Sequence, residues 1–545
     1  MDKKIIRGDV FGGLTAAVVA LPLALAFGVS SGAGPIAGLY GAIFVGFFSA
    51  LFGGTPTQVS GPTGPMTVVM ALIFTDTAAL MPNNPALALG LAFTIVVMGG
   101  GFQILFGLLK IGRYINLIPA PVISGFMTGI GVIIILLQLA PMTGNGSAAS
   151  PLNAVVSVPD YIQNLNISAL LLTGLTLVIV FGLPKKINRI IPSPLLALVV
   201  GTLVTLIMFN QNQVSVLGSI PSGFPSFVVP VLEFSLLPFM LKSAIMLAVL
   251  GSLDSLLTSL VADNLTRTHH NSDKELIGQG LGNMVAGLFG GLPGAGATMR
   301  TVVNIRAGGS SRISGMTHAL ILLLIALGAG KYAEQIPHAV LAGILIKVGT
   351  DIIDWTYLKR VFIAPKAGVI MMLSVLFLTV FVDLITAVGA GVVMASLILV
   401  QRMSDMQLNK VSHSQEPDEQ LKLTDKEQRL MERCGQNILL FSFGGPVTFG
   451  AAKGVVQKFS QLSNYQVLVL DFNDVTFLDY SATMAVADIV TQAAESQKHV
   501  IVSGLSDKVA QTLDKLKVLG SLPSENRMVA REQALSRAAD LVKSY

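Results

Sequence analysis

Charged residues are scarce in this chain of 545. They make up 12% of it against 52% hydrophobic residues, and the mean hydropathy is +0.72. Apolar surface on that scale exceeds what one soluble core hides, so the solvent for most of the chain is lipid. Cysteine is scarcer still. The one present, Cys434, excludes a disulfide framework or a thiolate metal site within a single chain. Catalytic signatures are missing too: there is no HExxH pair and no phosphate loop of the GxxxxGK[ST] form, so the chain does not read as an enzyme. His318 and His338 stand alone, without metal-ligand spacing.

The few charges are unevenly placed. Residues 1–400 hold 19 Lys/Arg and 13 Asp/Glu, whereas the 145 residues from Gln401 hold 16 and 17. A membrane domain over 1–402 is therefore expected, then a polar linker over 403–436 and a soluble domain over 437–545. The basic excess behind the pI of 9.1 lies wholly in the membrane part, where it reads as topology and not as a nucleic-acid surface. Lys3, Lys4 and Arg7 before an apolar run resemble a signal peptide's start. The many spans that follow mark a retained first helix instead.

A helix needs about 20 apolar residues to cross the bilayer core. Plausible spans lie near 10–28, 36–53, 86–108, 120–140, 168–183, 192–209, 238–262, 275–291, 313–329, 335–350, 365–382 and 384–400, with two shorter ones starting near 63 and 297. That is fourteen, or seven plus seven, with half-helices as spans 3 and 10. Lys110 and Arg113, then Lys185, Lys186 and Arg189, then Arg267 and Lys274, Arg306 and Arg312, and Lys359, Arg360 and Lys366 all fall on the side of the N-terminus. The connections 141–166 and 210–238 carry no Lys or Arg, so they are expected outside and both termini in the cytoplasm of a bacterial inner membrane. An odd number of spans per repeat gives the halves opposite topologies, which is inverted-repeat geometry.

The two short spans are broken in the same manner. Gly53-Gly54-Thr55-Pro56 and Ser60-Gly61-Pro62-Thr63-Gly64-Pro65 precede Met66-Thr67-Val68-Val69; Gly290-Gly291-Leu292-Pro293 and Gly294-Ala295-Gly296-Ala297-Thr298 precede Met299-Arg300-Thr301. One such stretch alone reads as a packing kink. A matched pair reads as the substrate site of an inverted-repeat transporter. Helix N-termini present unsatisfied amides and the positive end of a dipole, so two of them near the midplane would hold an anion. Thr63 and Thr298 would add hydroxyls, and Ala297 would let a compact anion approach the backbone.

Asp254 lies in the otherwise uncharged run 247–260. A carboxylate at bilayer centre costs about 2.5 to 3.5 kcal/mol on insertion scales, so it usually has a function. Thr258 shares its helix face. Together with carbonyls freed at the broken helix, these oxygens would suit sodium; a proton on Asp254, or a plain pairing with Arg300, are the other readings. Arg300 would draw an anion inward or neutralise Asp254. Asp263, His269 and His270 read as a solvated end of the same span.

The segments Leu253 to Asp263, Glu275 to Asn283 and Gly296 to Arg306 resemble the SulP (sulfate permease) anion transporters, and Thr63 to Val69 points to their BicA branch of sodium-dependent bicarbonate transporters. The resemblance implies a core domain (spans 1–4 and 8–11) moving against a gate domain (5–7 and 12–14) in elevator fashion. It also implies sodium held by Asp254, Thr258, Gly296 and Thr298, and bicarbonate by Thr63, Ala297 and Thr298. Arg300 matches an arginine common in the wider family, which leaves proton-coupled or exchange transport of sulfate or a dicarboxylate open.

From about Asn437 the pattern changes to strands at 438–443, 467–472 and 500–503, with a helix after Asp479, as in an α/β domain. Phe477-Leu478-Asp479-Tyr480-Ser481-Ala482 resembles the STAS module that follows SulP membrane domains. That resemblance implies a cytoplasmic domain that joins two protomers as a homodimer or regulates them. Ser481 stands where related regulators are phosphorylated, but Tyr480 and Ala482 depart from their Asp-Ser-Ser-Gly form.

Overall fold

A computed structural model describes all residues except 1–2, 116–118, 147, 149, 189–190, 210–212, 219–224, 329–333, 383, 418–420, 422 and 544–545. Arg189 and parts of the two outer connections thus lie outside the described residues. The chain divides into two compact units, Met1–Val393 and Met394–Tyr545, and the division falls inside one helix.

Helices run, in order, as α1 (Lys3–Ser30), α2 (Pro35–Phe52), α3 (Gly64–Leu80), α4 (Pro85–Leu108), α5 (Ala120–Leu137), α6 (Ile167–Gly182) and α7 (Ser193–Met208). They continue as α8 (Leu237–Thr266), α9 (Ser272–Leu288), α10 (Thr298–Arg306), α11 (Arg312–Gly328), α12 (His338–Ile352), α13 (Lys366–Phe381) and α14 (Leu384–Leu408). Among the described residues, six helices are long and apolar enough to cross a membrane by length and composition, and five more are shorter but apolar. Proline opens many of them within the first turn, as Pro35, Pro65 and Pro85 do, where its missing N–H costs nothing.

Packing in this unit relies on small residues, because lipid offers no hydrophobic drive to bring helices together. Ala17, Ala20 and Ala24 of α1 lie against Leu39, Ala42 and Ile43 of α2 and against Leu322 and Ala326 of α11. Between α4 and α9 the approach is closer still. A Cβ added to Gly100 would sit 2.5 Å from the Gly280 carbonyl oxygen, and one on Gly280 would meet that of Gly100 at the same distance. Two further segments cross the unit as short strands, β1 (Ser60–Gly61) and β2 (Ala295–Gly296), paired antiparallel.

The second unit is a five-stranded sheet, β3 (Ser412–Ser414), β4 (Ile438–Val447), β5 (Val467–Leu478), β6 (His499–Ser503) and β7 (Arg527–Met528), in that spatial order. Only β3 is antiparallel to its neighbour. The central strands carry apolar runs, 438–441 in β4, 467–470 in β5 and 500–502 in β6, because both faces are covered there. On one face Leu439, Phe441, Phe443, Leu470 and Phe472 pack under helices α16 (Phe449–Ser460), α17 (Tyr480–Glu495) and α18 (Asp507–Lys515). On the other, Leu440, Val469 and Ile501 meet α15 (Asp425–Cys434) and α19 (Arg531–Lys543). The polar stretch 403–436, expected as a linker, supplies the end of α14, the edge strand β3 and α15. Ser412-His413-Ser414 carries no apolar signal, since an edge strand needs only backbone to pair.

A polar row crosses this sheet. Ser442, Asp471 and Ser503 are register partners, and Asp471 accepts from both hydroxyls at 3.2 and 3.1 Å. Arg531 reaches Asp471 at 3.3 Å and grips Glu427 with two bonds of 3.0 Å, while Glu427 also accepts the Thr424 amide at 2.8 Å to cap α15. Burial alone would raise the Glu427 carboxyl, but the bonds from Arg531 and Thr424 outweigh it and hold the group below its usual range. Its charge therefore contributes stability above the ordinary glutamate range near ~4.3, a contribution lost as pH falls through the lower folded value. Arg531→Met leaves two buried carboxylates without their cation. It should destabilise the second unit by about 3 kcal/mol at neutral pH, read as faster hydrogen exchange in β5 of the intact chain.

Candidate functional site

Between α2 and α3 the chain runs without helix from Gly53 to Thr63, apart from β1, and between α9 and α10 it does so from Phe289 to Ala297, apart from β2. Peptide groups in such stretches have no internal partners, and at membrane depth no bulk water replaces them. The two stretches therefore bond each other. Ser60 faces Gly296 and Gly61 faces Ala295 in an antiparallel pair, and the Ala297 amide extends it by donating to the Val59 carbonyl at 2.9 Å. Thr63 and Ala297 are the N-caps that follow, with extended backbone angles, so α3 and α10 start just beyond the paired strands.

Small residues make this crossing feasible. A Cβ on Gly294 would overlap the Gly61 backbone, and one on Gly296 would overlap the Gln58 amide. Gly61 has φ +151°, and a Cβ there would lie 2.6 Å from Arg300 Nη1.

One turn of α8 frames the second strand. The Thr258 hydroxyl donates to the Gly296 carbonyl at 2.9 Å and shares a 2.8 Å bond with the Thr298 hydroxyl, while the Gly296 amide donates to Ser255 Oγ at 3.1 Å. Asp254 lies on the same helix, buried, with the Thr63 hydroxyl and the Arg300 guanidinium nearest to it. Neither Asp254 Oδ2 nor Thr63 Oγ1 completes a hydrogen bond of full geometry, although both atoms are out of solvent. Arg300 is buried and donates from Nη2 to the Pro62 carbonyl at 2.5 Å, so it ties the first broken stretch as well as setting a positive field.

All seven residues expected at the anion and sodium sites thus gather around the paired strands: Thr63, Asp254, Thr258, Gly296, Ala297, Thr298 and Arg300. Thr298 is exposed, whereas the other six are buried. A crevice of about 20 Å³, enough for one water-sized species, touches Asp254 and is walled by Pro65, Phe126, Leu253, Leu257 and Val388. A larger cavity of about 450 Å³ begins at Val68, further along α3, and ends among His338, Leu341 and Thr379 without reaching Asp254. Asp263 pairs with His270 at 2.7 Å at the end of α8, away from the crossing. Ser481 is exposed near the start of α17 in the second unit, where Asp479 caps the helix by accepting the Ala482 amide at 2.8 Å.

A second tier of polar residues was not assigned from the sequence. Glu275 accepts the Gly54 and Thr55 amides and the side-chain amides of Gln58 and Gln279, each at 2.8 Å. Gln279 also donates to Ser60 Oγ at 2.6 Å, and Asn283 accepts the Gly294 amide at 2.7 Å while donating to its carbonyl at 3.0 Å. Thr301 Oγ1 accepts the Val59 amide at 3.0 Å. The spacing of Glu275, Gln279 and Asn283 at four-residue steps is the sequence signal: one polar stripe on an otherwise small and apolar helix.

The crowding at the crossing sets a test. Gly296→Ala should lower stability by about 1 to 3 kcal/mol because its methyl has no room beside Gln58. Gly101→Ala, on α4 with open space around the new Cβ, should leave the melting temperature unchanged or raise it.

The sulfate permease family model matches residues 6–375, and the STAS domain model matches residues 431–530. Bicarbonate transporter BicA of Picosynechococcus sp. is 46% identical over 98% of this chain and 94% of its own length. Bicarbonate transporter BicA of Synechocystis sp. is 45% identical over the same shares. The solved transmembrane domain of a cyanobacterium bicarbonate transporter BicA is 50% identical, covers 71% of this chain and 99% of its own, and superposes with a TM-score of 0.66. These relatives are transporters and not enzymes. The chain belongs to the sulfate permease family of multi-pass membrane transporters and carries that family's membrane region together with a C-terminal STAS domain.

Proposed function

We propose that this protein is a sodium-dependent bicarbonate symporter. The observation that carries the reading is the oxygen cluster of Thr258, Gly296 and Thr298, one turn from a buried Asp254 and at the paired strands that lead into the N-termini of α3 and α10. Sodium would sit among Asp254, Thr258, the Gly296 carbonyl and Thr298, with the Thr258 hydroxyl turning its proton away to present a lone pair. Bicarbonate would sit against the α3 and α10 amides, touching Thr63, Ala297 and Thr298 in the field of Arg300. The names of the BicA relatives support that anion.

Magnitudes favour coupling. A helix end stabilises an anion by about 0.3 to 1 kcal/mol, and by about 2 in partly buried geometry. A sodium ion about 4 Å away contributes on the order of 4 kcal/mol at an effective dielectric of 20. The anion site is therefore weak until the cation arrives, and one gradient drives the other.

Transport would follow an elevator cycle in which spans 1–4 and 8–11 of a seven-plus-seven inverted repeat carry the site past a gate of spans 5–7 and 12–14. Residues 1–402 would form this domain, with both termini and the STAS domain (437–545) in the cytoplasm of a bacterial inner membrane. Pairing of STAS domains would make the protein a homodimer, and Ser481 is the exposed site where modification would act.

The test is labelled bicarbonate uptake into proteoliposomes at fixed pH. An inward sodium gradient should drive uptake at least about tenfold faster than potassium, and Asp254→Asn should abolish that difference. Equal uptake in potassium, or movement of sulfate or a dicarboxylate under a proton gradient instead, would overturn sodium–bicarbonate symport on this scaffold.

A further inference from the structure

Glu275, Gln279 and Asn283 project from α9 at intervals of about 6 Å along its axis. Each holds a deeper part of the crossing than the last: Glu275 the turn at Gly54 and Thr55 with Gln58, Gln279 the strand residue Ser60, and Asn283 the backbone of Gly294. The first half-site is thus hung from α9 at two levels, and the second at a third.

We propose that Glu275, as an ionised carboxylate, is a positioning residue that sets where β1 meets β2 and so sets the affinity for both transported ions. This rests on the symport reading above. All four partners of Glu275 are N–H donors, two on each oxygen, so a carboxylic O–H there would point at another donor. The group is buried, and among the described residues it forms no salt bridge. Four charge-assisted hydrogen bonds compensate its desolvation instead, which makes the carboxylate demanding about where those donors stand.

From Glu275 the effect reaches both ligands through Gln58. The Gln58 carbonyl oxygen accepts from Ser259 Oγ at 3.0 Å, next to Thr258 on α8, and its amide lies against Gly296 where no Cβ fits. Gln58 adjoins Val59, whose carbonyl receives the Ala297 amide at 2.9 Å. A shift of Gln58 thus moves the Gly296 carbonyl on the sodium side and the Ala297 amide on the anion side together. Glutamine at 275 keeps the size but turns one acceptor oxygen into a donor facing two N–H groups.

The experiment is initial-rate uptake by the full chain in proteoliposomes, varying bicarbonate and sodium separately, for wild type, Glu275→Gln, Gln279→Leu and the double variant. Glu275→Gln should raise both KM values together by about tenfold or more while kcat stays within about threefold. Gln279→Leu should raise both by about threefold, and by less than that when added to Glu275→Gln, because its bond to Glu275 is already lost and only its bond to Ser60 remains to be removed. Unchanged KM values in Glu275→Gln, a fall in kcat alone, or effects of the two substitutions that multiply in full would each overturn the proposal. If Glu275→Gln fails to fold, Gln279→Leu decides alone, and unchanged KM values in it overturn the proposal. Wild-type protein that carries another anion or a proton refutes the choice of substrate and coupling ion, and the same comparison made with that pair still decides the role of Glu275.

Discussion

Backbone amides without partners are the constraint on which the membrane unit depends. Two stretches of chain leave helical structure at the depth where lipid would otherwise surround them, and each leaves peptide groups that must be bonded inside the protein. Pairing β1 with β2 answers part of that need for both at once. Much else follows from this pairing: glycines at 61, 294 and 296 because a Cβ there would meet Arg300, the Gly61 backbone or the Gln58 side chain, N-caps at Thr63 and Ala297 because the helices restart there, and a polar stripe on α9 because the remaining amides and carbonyls need side-chain partners.

The same geometry produces the chemistry. Thr63 and Ala297 cap α3 and α10 just beyond the antiparallel strands, and the Thr258 hydroxyl of α8 donates to the Gly296 carbonyl beside the second cap. On the proposed reading, the cation and anion sites would share Gly296, Ala297 and Thr298, which sit consecutively in the chain. Ions bound so close would interact by more than either helix end contributes, which would couple two gradients with no covalent step.

Much of the proposed site is marked in the sequence itself. Gly/Pro breaks at matching places marked the two half-helices, and Asp254 stood out because lipid makes a lone carboxylate costly. Helices lie at each expected span, since apolar length is a strong signal. What periodicity could not supply was partnership. Arg300 reads as an anion ligand from its charge, yet its guanidinium bonds the Pro62 carbonyl, a contact between residues 238 positions apart. Glu275 lies in the first turn of α9, and only its four donors, three of them from the Gly54–Gln58 turn, reveal it as buried structure. In the second unit β4, β5 and β6 were readable because both their faces are apolar, whereas β3 is polar and pairs by backbone alone.

The most direct test of a shared site is equilibrium binding, free of any transport step. Bicarbonate affinity of the purified protein should be measured by calorimetry at fixed pH and ionic strength, in sodium and in potassium. Sodium should tighten bicarbonate binding by at least about tenfold, and bicarbonate should tighten sodium binding by the same factor, since linkage is reciprocal. Equal bicarbonate affinity in the two salts would contradict the account, because ions held on adjoining residues cannot ignore each other.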